Sequence, residues 1–241
     1  MLLTQNDFKV LKPLCRSLSE LYKKDECIEI QTLLSSGVDS VAITHFLATN
    51  KNFFCKLFDV EDVKVSAYHF NHKLRNQNNI MQAKANALAS QLGIDICIKQ
   101  AHIKPVNESQ ARDMRMQGLC DYKSISLTGH HLDDCVESYL LNVLRGHENR
   151  QPIPFATQMH QGVLLHLFLF TAKKKFYEYV QHNKLEQFIE EDETNKIVKG
   201  SRRNLLRNEI IPILDREKLG LQKIVKKKML DKLSNFHFNK I

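Results

Sequence analysis

Short runs of β-branched and aromatic residues alternate with longer stretches of helical spacing through the first half of the chain, and this alternation limits the fold more than any other feature. Beyond an opening helix, Ile28–Leu34 is β-rich and ends at Ser35-Ser36-Gly37-Val38-Asp39-Ser40, after which Val41–Ala48 carries apolar residues at helical spacing. Val63–Phe70 predicts a second strand, Ile80–Leu92 an Ala-rich helix stopped by Gly93, Ile94–Lys99 a third strand and Glu108–Tyr122 a helix. Ile125–Thr128 predicts a fourth strand, running through Gly129-His130-His131 into a helix over Leu132–Leu144. Strands and helices in this order need right-handed crossovers, hence an α/β fold with a doubly wound parallel sheet covered by helices on both faces.

After Gly146 the pattern changes. Gly146–Gln161, with Pro152 and Pro154, reads as a loop, Val163–Phe170 as a strand and Ala172–Asn183 as a helix; the acidic run Glu186–Glu193 then leads into a basic segment. The division expected is a core over 1–146, its continuation over 147–214, and a small, mostly helical, basic appendage over 215–241. The 241 residues suffice for such a core, and 43% hydrophobic with 26% charged residues excludes a disordered or fibrous chain. No apolar run reaches the roughly 20 residues of a membrane helix, and the first residues lack the features of a signal peptide, so no membrane partner and a cytoplasmic location are expected. Six scattered cysteines without a CxxC pair predict reduced, mostly buried thiols.

Of the formal net charge of +8, seven units fall within Lys199–Lys228, where ten basic residues face three acidic ones. Such a cluster suits a polyanion partner or a solvated helical face.

The polar clusters fall at the ends of predicted strands, where open parallel sheets bind ligands. Ser35–Ser40 opens a helix, so its backbone N–H groups suit an anion as well as an ordinary helix start. Asp39 within it would repel phosphate unless a cation such as Mg²⁺ bridged them. The second strand ends in His69, Asn71, His72 and Arg75; the fourth is followed by His130, His131, Asp133, Asp134 and Glu137. Asp133 and Glu137 are four apart and Asp134 and Glu137 three apart, so the carboxylates share a helix face as metal ligands, acid/base groups or caps. His45, His102, His147, His160, His166, His182 and His237 have no motif around them and read as incidental; Phe168, Phe170, Phe176, Tyr177, Tyr179 and Phe188 read as a packing stripe.

SSGVDS resembles the SGGxDS loop of the N-type ATP pyrophosphatases, the PP-loop superfamily. Asn71–Arg75 (NHKLR), Glu108–Arg115 (ESQARDMR), Gly129–Ser138 (GHHLDDCVES), Leu140–Gly146 (LLNVLRG) and Glu191–Leu214 (EDETN…RRNLLRNEIIPIL) further resemble the tRNA(Ile)-lysidine synthases. The resemblance covers roughly Ile30–Leu214 and implies an adenine nucleotide alpha hydrolase-like fold. It also implies a carbon–nitrogen ligase, in which ATP adenylates C2 of the wobble cytidine in the CAU anticodon of tRNA(Ile) and free L-lysine displaces AMP. By the same resemblance, Ser35, Ser36, Gly37, Val38, Asp39, Ser40, His69, Asn71 and His72 would bind ATP, with Mg²⁺ on Asp39. Asp134 and Glu137 would receive the lysine ammonium, and His131 and Arg112 would contact the adenylated base or its phosphate. Arg75, Arg115, Asp133, Arg145, Arg203, Asn204 and Arg207 would face substrate or tRNA, the last three from one polar helix face.

Three positions depart from the family pattern: Ser36 replaces a glycine and calls for a strained φ, Met116 replaces an aromatic residue, and His166-Leu167 replaces Arg-Pro. The C-terminal tRNA-gripping domain of longer relatives is expected to be absent or vestigial, and a homodimer is compatible with the composition. A PP-loop tRNA thiolase is disfavoured by the lack of CxxC, and a degenerate nucleotide- or RNA-binding protein is the remaining alternative.

Overall fold

The computed structural model describes residues 1–73, 76–101, 110, 113–114, 124–160, 162–191 and 201–234. Its six-stranded sheet has the order β3-β2-β1-β4-β6-β5, with β1 Cys27–Leu33, β2 Asp62–Asn71, β3 Asp95–Gln100, β4 Ile125–Leu127, β5 Ala156–Gln158 and β6 Val163–Leu165. All neighbours are parallel except β5 and β6. The helices are α1 Gln5–Tyr22, α2 Val38–Thr49, α3 Lys51–Phe58, α4 Asn76–Leu92, α5 Leu132–Val143, α6 Lys173–His182, α7 Arg202–Leu205, α8 Ile211–Arg216 and α9 Leu221–Ser234, with a π-helical turn Leu206–Ile210 joining α7 to α8.

Strand order dictates where a ligand can enter. The chain builds outward from β1 through β2 to β3, then returns to lay β4 on the other side of β1. Connections after β1 and β4 therefore diverge and leave a crevice at their carboxyl ends. β1 buries Ile30, Gln31 and Thr32 in succession, as a strand covered on both faces does. α2 is buried almost all round, and its Thr44 hydroxyl accounts for itself by bonding Thr32 Oγ1 at 2.9 Å and Ser40 O at 2.8 Å. Phe46 on α2 meets Phe54, Phe168 and Tyr179 edge-on at 5.5, 6.4 and 5.8 Å between centroids, so the aromatic stripe is packing material apart from the exposed Tyr177.

The expected strands and the helices following β1, β2 and β4 are present, with ends moved by a few residues. Three expectations are corrected. Gly146–Gln161 contains β5, which pairs antiparallel with β6. The strand expected over Val163–Phe170 stops at Leu165, because Leu167, Phe168, Leu169 and Phe170 bury themselves in a turn. α3 was not foreseen; its Phe54, Leu57 and Phe58 pack towards α1. Of the described cysteines, Cys15 and Cys135 are buried and Cys27, Cys55 and Cys97 half-buried, and all five are free thiols. The helix expected over Glu108–Tyr122 lies almost wholly outside the described residues, as do His102 and His237. Among the described residues no helix is long and apolar enough to cross a membrane.

Candidate active site

The loop after β1 is shaped by its own hydroxyls. Ser40 Oγ donates to Gly37 O at 2.9 Å and accepts from Ser35 N at 3.1 Å and Ser35 Oγ at 3.2 Å. Gly37 caps α2 with no side-chain bond, and the helical ladder opens with Val41 N–H on Gly37 O. The amides of Val38, Asp39 and Ser40 precede that ladder, and a helix start of this kind favours an anion. Ser36 has φ 62°, the left-handed value expected from its place in a glycine position.

The loop after β4 lies against this one. A Cβ on Gly129 would stand 3.1 Å from Asp39 Cβ, a tight contact that glycine avoids and any other residue would relieve only by moving Asp39 a few tenths of an ångström. Beyond it His131 caps α5: its N–H donates to Asp134 Oδ2 at 3.0 Å, and its Nδ1 accepts from Asp134 N at 3.4 Å. His131 Nε2 stands 3.6 Å from Asp39 Oδ2, which links the two strand ends. Burial opposes the charged imidazole, but Asp39, Asp134 and Asp133 outweigh it and raise the His131 pKa. Burial likewise opposes ionisation of Asp134, yet His131, His130, the backbone bond and Arg207 together hold its carboxyl below the ordinary value.

Glu137, one turn further along α5, is buried and grips Arg207 with both oxygens, at 2.5 and 2.9 Å. Arg207 also reaches Asp134 at 3.4 Å, and Arg203 reaches Glu137 at 3.3 Å and Ser138 Oγ at 3.1 Å. Burial works against the Arg207 charge, but Glu137, Asp134 and Asp39 keep its pKa raised. Acidic and basic side chains therefore alternate from Asp39 through His131, Asp134 and Arg207 to Glu137.

Several residues expected at the site serve its scaffold. Asp133 accepts from Lys173 N at 2.7 Å and Gln222 Nε2 at 3.3 Å, fastening α6 and α9 to α5. Asn71 donates to Asn79 and Gln82 at 3.1 and 2.8 Å and accepts from Lys73 N at 2.8 Å, turning the chain into α4. Asn204 donates its N–H to Ser201 Oγ at 3.2 Å at the start of α7, and Arg145 is exposed beyond the end of α5. Arg203 and Arg207 share a face, as their spacing predicts, and both reach Glu137, Arg207 with a mostly covered side chain and Arg203 with an exposed one. His72 packs edge-on against Phe70. His69 Nδ1 donates to Leu34 O at 2.7 Å, and burial lowers its pKa, so the ring is neutral with Nε2 as acceptor. Arg75, Arg112 and Arg115 lie outside the described residues.

The buried side-chain atoms without a hydrogen-bond partner in this neighbourhood include Asp39 Oδ1 and His69 Nε2. Among the described residues no group of three or more His, Cys, Asp or Glu side chains is placed to hold a metal ion. The chemistry of Asp39 Oδ1 fits a cation that takes its other ligands from phosphate and water.

One group was missed. His166, read as incidental, is buried and joins His130 and Thr128: Thr128 Oγ1 lies 2.8 Å from His130 Nδ1 and 2.6 Å from His166 Nδ1, with 3.1 Å between the two nitrogens. The only sequence sign of it was the departure from Arg-Pro at His166-Leu167.

Compared with known proteins, residues 11–214 match the PP-loop domain family. The chain is 30% identical over 164 residues to a tRNA(Ile)-lysidine synthase of Francisella philomiragia subsp. philomiragia, covering 64% of this chain and 40% of that protein. It is 32% identical over 202 residues to a tRNA(Ile)-lysidine synthase of Oceanobacillus iheyensis, covering 75% and 40%. The chain thus spans about two fifths of the length of these curated relatives. Among solved structures it is similar to a U34-tRNA thiolase from Methanococcus maripaludis, with a TM-score of 0.65 at 14% identity over 96% of this chain and 80% of that one, a likeness of fold.

Proposed function

Because the chain belongs to the PP-loop domain family, we propose that it binds ATP at Ser35–Ser40 and joins free lysine to C2 of the wobble cytidine of tRNA(Ile), forming lysidine. The observation that carries this reading is the charge relay at the switch point, which ties the β1 loop to the β4 loop and to α5 through Asp39, His131, Asp134, Arg207 and Glu137. The likeness to named lysidine synthases supports the choice of substrate.

Activation requires pyrophosphate to leave the α-phosphate as the cytidine takes up the adenylyl group. The amides of Ser36, Gly37 and Ser40, with those of Val38 and Asp39 at the same helix start, would hold the phosphates. Asp39 would hold Mg²⁺, which supplies charge neutralisation to the departing pyrophosphate. Neutral His69 offers Nε2 as an acceptor for an amino group of the nucleotide. The bound lysine ammonium gives up a proton to water to become the ε-amine that attacks C2; the bond from C2 to the adenylyl oxygen breaks, AMP departs, and the attacking nitrogen loses a second proton to water.

The directions of the pKa shifts separate the roles. Asp134, held ionised by its neighbours, suits an ammonium better than it suits proton removal. His131, whose pKa Asp39, Asp134 and Asp133 raise, stands beside Asp39 where anionic adenylate would collect, and taking up a proton there would exchange its Nδ1 cap on Asp134 N for positive charge facing the adenylate. Arg207 saturates Glu137, so an incoming ammonium meets Asp134 as the more available carboxylate. Arg112 and the tRNA contacts Arg75, Arg115 and Arg145 remain part of this proposal on the motif resemblance alone.

The test is mass spectrometry of nucleosides from tRNA(Ile) incubated with the protein, ATP and lysine. A lysidine peak that needs all three, with release of AMP and pyrophosphate, is expected; sulfur incorporation instead would favour a thiolase, and ATP binding without turnover a degenerate member. Asp39→Ala should abolish pyrophosphate release, and unchanged release would remove the nucleotide assignment.

A further inference from the structure

Ser36 is fully buried and left-handed, a combination that side chains with a Cβ resist and glycine does not. Two contacts keep it there. Its Oγ donates to Met81 O of α4 at 2.6 Å, and its carbonyl accepts from Glu190 N at 2.8 Å. Glu190 comes from a distant part of the chain, just past the 3₁₀ turn Glu186–Phe188. The 189–191 segment is itself fastened to α4: Lys84 Nζ donates to Ile189 O at 2.5 Å and pairs with Glu190 Oε2 at 2.7 Å. Gln77 Nε2 adds bonds to Glu190 Oε1 at 3.2 Å and Glu191 O at 2.7 Å. Both charged partners are about three-quarters covered, at 28% and 24% side-chain exposure, so the pair is shielded more than a surface ion pair.

We propose that the Lys84–Glu190 pair is a clamp that sets the nucleotide loop, fixing the 189–191 segment on α4 so that Ser36 stays left-handed. Release of the clamp lets Ser36 return towards negative φ, which rotates the flanking peptide planes and the Ser36 and Gly37 N–H groups with them. Lys84 and Glu190 are positioning residues: they touch the loop and its support, and act on ATP through Ser36. Glycine at position 36 would make the clamp dispensable, because it holds the left-handed conformation without support. The inference rests on Ser35–Ser40 being the nucleotide site.

The test uses the full chain and its variants Lys84→Met, Lys84→Arg, Ser36→Gly and Lys84→Met/Ser36→Gly. ATP affinity is measured by calorimetry, amide exchange of peptides spanning 34–40 without ATP, and folding by thermal melts. Lys84→Met should weaken ATP binding about fivefold, the population cost of a left-handed Ser released from its support, and speed exchange in the loop. Lys84→Arg should stay close to the parent, and adding Ser36→Gly to Lys84→Met should restore affinity to within about twofold, a non-additivity that general destabilisation would not give. Unchanged affinity and exchange in Lys84→Met, or no rescue by Ser36→Gly, overturns the clamp. If the parent chain binds no ATP, the nucleotide reading fails, and exchange measured without ATP still decides whether the clamp orders the loop.

Discussion

Three carboxylates, those of Asp39, Asp133 and Asp134, stand 3.5 to 3.7 Å from the ring nitrogens of a single buried imidazole, His131. Their combined field raises its pKa above the ordinary 6.5. A raised folded value means that protonated His131 contributes stability fully below about pH 6.5 and loses it as pH rises through the folded value. Asp134 has the opposite sign: its depressed pKa gives stability above the ordinary 3.8, lost as pH falls through the folded value. Melting temperature against pH should therefore fall on the alkaline side of 6.5, and His131→Asn, which keeps a good helix cap, should flatten that limb and weaken the acid limb as well, because His131 is the foremost charge holding the Asp134 carboxyl down. Arg207 gives a second residue-scale test. Arg207→Met leaves the buried Glu137 carboxylate with only the more distant Arg203 and should cost about 3 kcal/mol in a denaturant melt, whereas adding Glu137→Gln should recover much of it. Equal losses in the single and double variants would mean that the pair is not what Arg207 contributes.

Elements carry these side chains to each other, and the β1–α2 and β4–α5 connections do so by close approach. Gly129→Ala would force Asp39 back by a few tenths of an ångström, because its Cβ would sit 3.1 Å from Asp39 Cβ. ATP affinity by calorimetry should drop about tenfold with little change in melting temperature, since displacement at a site is felt before it is felt in the core. The same two connections were legible in the sequence because strand and helix periodicities meet there, with polar residues at the junction. α3 was not, since Phe53, Phe54, Leu57 and Phe58 follow so closely on α2 that eight residues offer no separate period. The length of β6 was overstated for a related reason: Leu167–Phe170 is apolar enough for a strand but is buried as a turn. Bonds such as Arg207–Glu137, Lys84–Glu190 and His130–His166 join residues 70, 106 and 36 positions apart, and no local pattern encodes such partners.

At the scale of the whole molecule, the basic excess divides into two populations. Arg207 turns inward and pairs with Glu137 and Asp134, while Arg203 reaches Glu137 with its side chain 42% exposed. Lys226 lies over the Phe170 ring at 5.8 Å and Lys228 over Tyr139 at 5.4 Å. Arg202, Arg216, Lys218, Lys223 and Lys227 are exposed, and these can meet an RNA backbone without first giving up a carboxylate. Each phosphate contact contributes to the dependence of affinity on salt, with a slope near −0.9 per contact on duplex and about −0.7 on single strands. Lys223→Gln/Lys227→Gln should then weaken tRNA binding by a similar factor for cognate and unrelated tRNAs and lower the slope of log affinity against log salt by about 1 to 2, read by filter binding between 50 and 200 mM salt. Arg207→Met should leave that slope unchanged while turnover is lost, because its charge is already spent inside the fold. An equal slope change in Arg207→Met would place the guanidinium on RNA, and the inward network would then describe only the protein without its substrate.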